Sequence, residues 1–574
     1  MARTWFRIGI LCVAALLAVG FSSCELFGGD SGGNGGGGKN DTVNGEDDGG
    51  SDADDQTDSV GDDDGADEGA GDDSSDDDSS DDDSNDDGSS DDGASAESLR
   101  LEYQVLTVEV GENAAIAVAA TDAGGTNESF IAFCSNDAAS VTVGESSIEV
   151  TGDSLGEATV TVLSASGVSE SVLVRVIDPK ALLTDGLLIT YVDQFTLEWT
   201  DAGSGADDNG SYWQAQVPEG YFALGSLGKG GWGNPSGTEA MLVVKAVGNS
   251  DALAAPTDYQ HIWSDSGSGA NSDASFWVPV PPEGYAACGV VAQLGYTKPS
   301  LDEVRCVRSD LVSNAKVGGW IWDDSGSGAD ADFGSWTVEC PDAQNSAGKA
   351  YLKAGTFIGV AGHSAPTSHP ALYVLNVHLP LVTDVPEASY APKLSTPDEP
   401  EDLTESYLSK VVAVPFPLVY DASYSLHQKV ASFPIYRVRR EEFYEKAYFY
   451  NNLEGSTPIY HTVTTTTGIS ETDSTTYSHS VGLSITAEGG CELIGGSVSV
   501  TVSYQFGYET SSSLTVFQEQ AVSQQVEIAP YTAGCLWHKT TRFSLMRNNN
   551  NWETVAGSAK DIPINSFIKG EYSE

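Results

Sequence analysis

Three pairs of oxygen-bearing side chains stand at the same place in three copies of one motif: Asp201 with Asn209, Asp265 with Asp273, and Asp324 with Asp332. In each copy the first Asp follows a tryptophan by two residues (Trp199, Trp263, Trp322), a Gly-Ser-Gly-Ala turn comes next, and a second tryptophan closes the motif (Trp213, Trp277, Trp336). Carboxylates and amides beside exposed glycine N–H groups are the chemistry that holds a calcium ion or sugar hydroxyls. Calcium takes about six to eight oxygens, more than one such loop offers, so Ca2+ is only weakly supported and no other cofactor is expected. The same residues also have a plainer use. Asp can cap the turn, the glycines can supply positive φ, and the tryptophans can staple a core. Both uses stay open, and either one should recur in triplicate.

No spacing supports catalysis. His363, His369 and His378 come nearest to a histidine cluster, yet they lack HExxH or a comparable arrangement, and no GxSxG or phosphate-binding loop is present. A glycosidase pair of carboxylates has no local signature, but triplicate loops fit a binding scaffold, and the chain is read as a non-enzyme without an assigned metal.

The elements that must position these loops are short strands. The motifs' first Asp residues recur 64 and 59 residues apart, and the first two motifs continue into VPEGYFALG and PPEGYAACG, then Pro235 and Pro299, then MLVVKAV and VRCVRSDLV. The third follows more loosely through FIGVAG and His369-Pro370. Units this small cannot close a core alone, so they should bury their apolar faces against one another in a pseudo-threefold, β-prism-like domain; a trefoil is the alternative. The string IWSDSGSGANSDASFWVPVPPEGYAACG resembles the vacuolar protein sorting-associated protein 62 family over about residues 182–380. That resemblance implies a fold and a binding role, and no reaction. Cys288 and Cys306 align with Leu224 and Leu242 of the first repeat, as buried thiols or as a bridge between adjacent strands.

At the other end, Arg3 and Arg7 precede an apolar run over 8–19, and small residues lead to Cys24 in FSSC. This reads as a secretory signal peptide over 1–23. It resembles a bacterial lipoprotein lipobox, with Phe21 departing from the usual leucine, and so implies cleavage before Cys24 and acylation of that cysteine by palmitate-type chains. The expected location is the bacterial cell envelope, anchored by lipid at the outer membrane or cell surface. Residues 28–97 carry 27 acidic side chains against Lys39 alone and almost no apolar ones, the composition of a disordered spacer. The formal charge of −59 over 574 residues leaves the remainder acidic as well, which excludes nucleic acid as a partner. The remaining cysteines would sit in a disulfide-permissive setting whose pairing spacing does not give.

From 98 to 180, short alternating strands and regular turns indicate a β-sandwich. The segments VGENAAIAVAATDAGG, CSNDAASVTV and GDSLGEATVTVLSASG resemble a bacterial Ig-like domain of group 2, which implies a spacer or adhesive module, with Cys134 as a small apolar thiol.

Beyond the threefold region (181–385), residues 386–574 become rich in Ser and Thr with long alternation. Two strands, about 476–487 and 496–507, would meet at the tip EGGCELIG, with Val481, Leu483, Ile485, Val498, Val500 and Val502 on a face that could meet lipid. Together with VEIAPYTAGCLWHKTTRFSLMRNN this resembles the aerolysin-type β-pore-forming fold. The other reading is a solvated, elongated two-sheet sandwich. The whole is therefore expected to be all-β: a surface-anchored lipoprotein that binds a glycan or another surface ligand through its repeats. The alternative is a membrane-active protein that inserts its hairpin and oligomerises only in that case.

Overall fold

The computed structural model describes residues 97–342, 348–481, 483–486, 490–495, 498–501, 506, 517, 519–548 and 552–573. Cys24, the signal segment and nearly all of the acidic spacer lie outside the described residues. The described chain is almost entirely strand, and its 98–180 portion is a two-sheet sandwich. One sheet holds Ser98–Leu101, Asn113–Thr121, Ser147–Gly152 and Ala139–Val143; the other holds Val105–Glu109, Ser169–Ile177, Gly156–Ser164 and Phe130–Cys134. Strict alternation explains it: in GEATVTVLS every second residue is buried, and Val160 and Val162 meet Ile116, Ile148 and Val174 in the shared core.

This sandwich does not stop at its own edge. Val105–Glu109 pairs in parallel with Ser169–Ile177 on one side, and on the other meets Leu381–Asp384 through Val105 and Asp384. Gln104 N donates to Asp384 O at 2.8 Å, and the Thr107 hydroxyl donates to Val382 O at 2.5 Å. Leu381–Asp384 then pairs with Tyr407–Pro415, which leads to Ile435–Asn451 and Thr532–Arg547, so one ten-stranded sheet runs from the sandwich into the C-terminal region.

Between these ends, each repeat contributes two three-stranded sheets. One tier is made of Phe195–Thr200, Gly210–Ala215 and Leu227–Gly230, with its counterparts Asp258–Ser264, Ala274–Val280 and Val291–Leu294, and Lys316–Asp323, Gly334–Glu339 and Phe357–Val360. The second tier begins with Leu182–Thr184, Leu187–Val192 and Met241–Ala246 and likewise repeats three times. This is the pseudo-threefold arrangement the motif spacing predicts. In every repeat a register shift falls immediately before the first tryptophan, at Leu197/Trp199, His261/Trp263 and Trp320/Trp322. A bulge adds a residue and re-aims the next side chain, and here it turns each tryptophan toward the common axis.

The C-terminal region is built on long strands, Ile435–Asn451, Thr532–Arg547 and Lys560–Ser573. Glu442 is fully buried among them. It accepts from Tyr390 Oη and Arg440 Nη2, both at 2.5 Å, and lies 3.1 Å from Lys539 Nζ. Burial opposes its ionisation, and the two cations outweigh burial and hold its carboxyl below the usual range.

The expected hairpin of two strands, about 476–487 and 496–507, is not the described arrangement. Residues Glu471–Val481 form a helix, so Val481 is its last residue rather than a strand position. Leu483–Thr486, Gly490–Gly495 and Val498–Thr501 form a three-stranded meander in which the expected tip is the middle strand. Leu483, Ile485, Val498 and Val500 lie on its outer strands, and Val502 is outside the described residues. Local capping overrides alternation here. Ser470 Oγ accepts from Asp473 N at 3.2 Å, the acidic Glu471 and Asp473 stand at the positive helix end, and Tyr477 buries its ring and donates to Ser558 O at 2.6 Å. The long polar ribbon lies instead just outside this segment, where Ile459–Thr467 pairs with Gln520–Ile528 over nine residues.

Candidate functional site

Trp199, Trp263 and Trp322 meet on the threefold axis, with ring centroids 5.5 to 6.1 Å apart and planes inclined by 68 to 72°. This is the edge-to-face arrangement that aromatic quadrupoles favour. Each indole N–H crosses to the next repeat: Trp199 donates to Ser272 O (2.8 Å), Trp263 to Ala331 O (2.6 Å) and Trp322 to Asp208 O (2.9 Å). The third hands back to the first, so the ring closes. A backbone exchange runs alongside, from Asn271 N to Ala202 O, Asp330 N to Ser266 O and Asp207 N to Ser325 O. Phe276 stacks on Phe333 and meets Tyr212 edge-to-face in the same core. In repeat three the aromatic comes from the position that holds Gly210 and Ala274 elsewhere, while Ser335 takes the Tyr212 position and bonds the Tyr212 hydroxyl at 2.7 Å. Gly210 is required by close approach, since a Cβ there would fall 2.4 Å from the Trp322 ring.

The second tryptophans, Trp213, Trp277 and Trp336, are also buried, but they join three separate clusters away from the axis. The pair in each motif thus serves two cores.

The first Asp of each motif closes its own loop. Asp201 Oδ1 accepts from Gly210 N (2.8 Å), Asp265 Oδ1 from Ala274 N (2.9 Å) and Asp324 Oδ1 from Phe333 N (2.7 Å), and all three carboxylates are almost fully buried. Their own carbonyls accept from Ser204, Ser268 and Ser327, and both glycines of every turn have positive φ, for example 94° at Gly203 and 79° at Gly205. Asn209, Asp273 and Asp332, in contrast, are exposed.

A third residue completes each corner, and the motif pattern does not include it. Trp232 Nε1 donates to Asp201 Oδ1 at 2.6 Å, and His363 Nε2 lies 2.7 Å from Asp324 Oδ1. The Tyr296 phenol is within hydrogen-bonding reach of Asp265 and Asp273. Each of the three follows a glycine whose N–H donates to the carbonyl of the exposed Asn or Asp: Gly231 to Asn209, Gly295 to Asp273 and Gly362 to Asp332. Trp232 and Tyr296 are each 49% exposed. The sequence signal is Gly-(Trp/Tyr/His)-x-x-Pro, ending at Pro235, Pro299 and Pro366. The counterpart of the first two prolines in repeat three is therefore Pro366, not Pro370 beside His369, because repeat three carries a longer connection before it.

Partial desolvation and then the Asp265 and Asp273 carboxylates push the Tyr296 phenol up to about 12, so it is a neutral donor at ordinary pH. The hydrogen bond to Asp324 holds the His363 imidazole above its usual pKa. The three histidines singled out above do not gather: His378 pairs with Asp185, and burial lowers His369 to about 4. Among the described residues, Asp324, Asp332 and His363 form a trio whose ligand atoms all lie within 4.8 Å of one another. Cys288 and Cys306 are buried free thiols, as are Cys340 and Cys535, while Cys134 is a half-buried one.

Comparison with solved structures gives partial likenesses. The crystal structure of GNIP1Aa from Chromobacterium piscinae is 27% identical over 34% of this chain, with a TM-score of 0.28, and the match spans 35% of that protein's length. Cry35Ab1 is 12% identical over 69% of this chain and 91% of its own, with a TM-score of 0.25. Domains 5-6 of the S-layer protein SbsC are 14% identical over 36% of this chain and 100% of theirs, with a TM-score of 0.13. No curated protein matches the chain. Across the ring and its flanks, residues 180–392, the chain matches the family model described as vacuolar protein sorting-associated protein 62.

Proposed function

We propose that the chain is an envelope-anchored binding protein that holds glycans at the corners of its threefold ring. The observation that carries this reading is the corner itself. A half-exposed ring side chain stands against a buried carboxylate, with the Trp232 indole N–H held by Asp201 Oδ1 and the Tyr296 phenol in reach of Asp265, beside a glycine turn and an exposed Asn209 or Asp273 oxygen. A flat apolar face with a few oriented polar groups is what the C–H face and hydroxyls of a sugar require. Repetition adds avidity, because a ligand presenting several sugars can engage more than one corner.

The test is a glycan array probed with the labelled full chain and with Trp232→Ala, Tyr296→Ala and the double variant. Each single change should weaken binding about tenfold, the equivalent of about 1.4 kcal/mol. Unchanged binding by the double variant, or an array without hits, rules the reading out.

A second reading, membrane activity, is favoured by one feature. The ribbon Ile459–Thr467 with Gln520–Ile528 is largely exposed and brackets a segment docked on the long-strand sheet through Tyr477, Phe506 and Phe517. Dye release from sealed vesicles is its readout.

A further inference from the structure

We infer that the third corner is a binding site for a divalent transition-metal ion, taken by Asp324, Asp332 and His363. The three corners share one scaffold and differ in the group that faces the buried carboxylate (Trp232, Tyr296 or His363) and in the exposed side chain beside it, which is Asn209 at corner one and Asp273 or Asp332 at the others. At corners one and two the group facing the buried carboxylate is an indole N–H or a phenol, and neither is a ligand for such an ion at neutral pH. At corner three it is an imidazole, whose Nε2 can instead offer a lone pair. His363 Nε2, Asp324 and Asp332 then present one nitrogen and two carboxylates within 4.8 Å of one another.

The surroundings suit ligation. His363 Nδ1 lies 3.3 Å from Ser325 Oγ, which can accept from an Nδ1–H in the tautomer that leaves Nε2 to ligate, the arrangement of second-shell partners of metal-bound imidazoles; the Nε2 proton shared with Asp324 Oδ1 leaves as the ion binds. Asp324 is anchored by Phe333 N at 2.7 Å and cannot swing away without orphaning that N–H. Asp332 is exposed, and its backbone carbonyl is tied to Gly362 N at 3.1 Å, next to His363. A mixed nitrogen and carboxylate set favours zinc and its first-row neighbours over calcium, which wants more oxygens. Three protein ligands leave positions open to water or to an incoming oxygen ligand.

The inference rests on corner three alone and needs no glycan, so the experiment is run without one. Zinc chloride is titrated calorimetrically into the full chain, with the acidic spacer's weak binding present in every variant as a common background. The expected result is one saturable zinc site per chain that excess calcium does not displace. His363→Tyr copies corner two and so should fold; it removes the site, as does Asp332→Asn. Ser325→Ala weakens it about tenfold, and Trp232→Ala and Tyr296→Ala leave it intact. An isotherm identical in wild type and His363→Tyr, or stoichiometric displacement by calcium, overturns the inference. A failed glycan array does not touch it.

Discussion

Asp201 illustrates how much one side chain does at a corner: it satisfies the Gly210 N–H at the loop's end and fixes the Trp232 indole at the surface. Replacing it by alanine leaves a buried backbone N–H without an acceptor, which costs about 2 kcal/mol, and frees Trp232 to sample other rotamers. Asp201→Asn keeps an acceptor oxygen and should cost less. Urea unfolding of the two variants checks the order, and equal midpoints for Asp201→Ala and wild type would show that the N–H finds another partner. The tryptophans, aspartates and glycine turns of this site were legible in the sequence because they recur at fixed spacing. Trp232, Tyr296 and His363 were not, for a physical reason. The scaffold at that position asks only for a ring with a polar atom, so three residue types satisfy it, and the third sits 39 residues after its aspartate instead of 31.

Among the elements, the sandwich strands and repeat sheets follow from alternation, since one face of each is buried and a slip of one residue would invert it. The 471–501 segment shows where alternation misleads. Its small polar residues suit helix and strand alike, and the outcome follows from Ser470 as cap and from the anchoring of Tyr477, while the Thr475 and Thr476 hydroxyls satisfy themselves on Glu471 O and Thr472 O within the helix. Among the described residues Phe517 is one hold on this segment: it is fully buried against Phe543 at 5.9 Å, and its carbonyl accepts from Ile469 N, so it ties residue 469 to residue 517. Phe517→Ala should cost about 3–5 kcal/mol and raise proteolytic cutting between 468 and 519. On the membrane reading it also raises dye release from sealed vesicles several-fold. Faster cutting with vesicles still sealed would sink that reading, because the segment would then be free and yet inert.

At the scale of the molecule, the ten-stranded sheet ties the sandwich to the C-terminal strands through Leu381–Asp384, and the ring is inserted between two of its strands in the chain order. Sequence divided these regions by composition and could not foresee the shared sheet, because the pairing of Val105 with Asp384 joins residues 279 apart. Anchoring is the remaining proposal at this scale. It predicts that the full chain fractionates with membranes and that Cys24→Ala releases it; a Cys24→Ala protein still in the membrane fraction would mean that something other than an acyl chain holds it. The hand-over of each indole N–H to the following repeat has a consequence for how such a protein can evolve. An open solenoid can lengthen or shorten by recombination, since each unit needs only a neighbour. Here the third unit must find the first, so a lost or duplicated copy breaks the circuit, and variation is confined to substitutions at the rim. Three equivalent loops can therefore carry different side chains at the rim, as Trp232, Tyr296 and His363 do, while their number stays fixed.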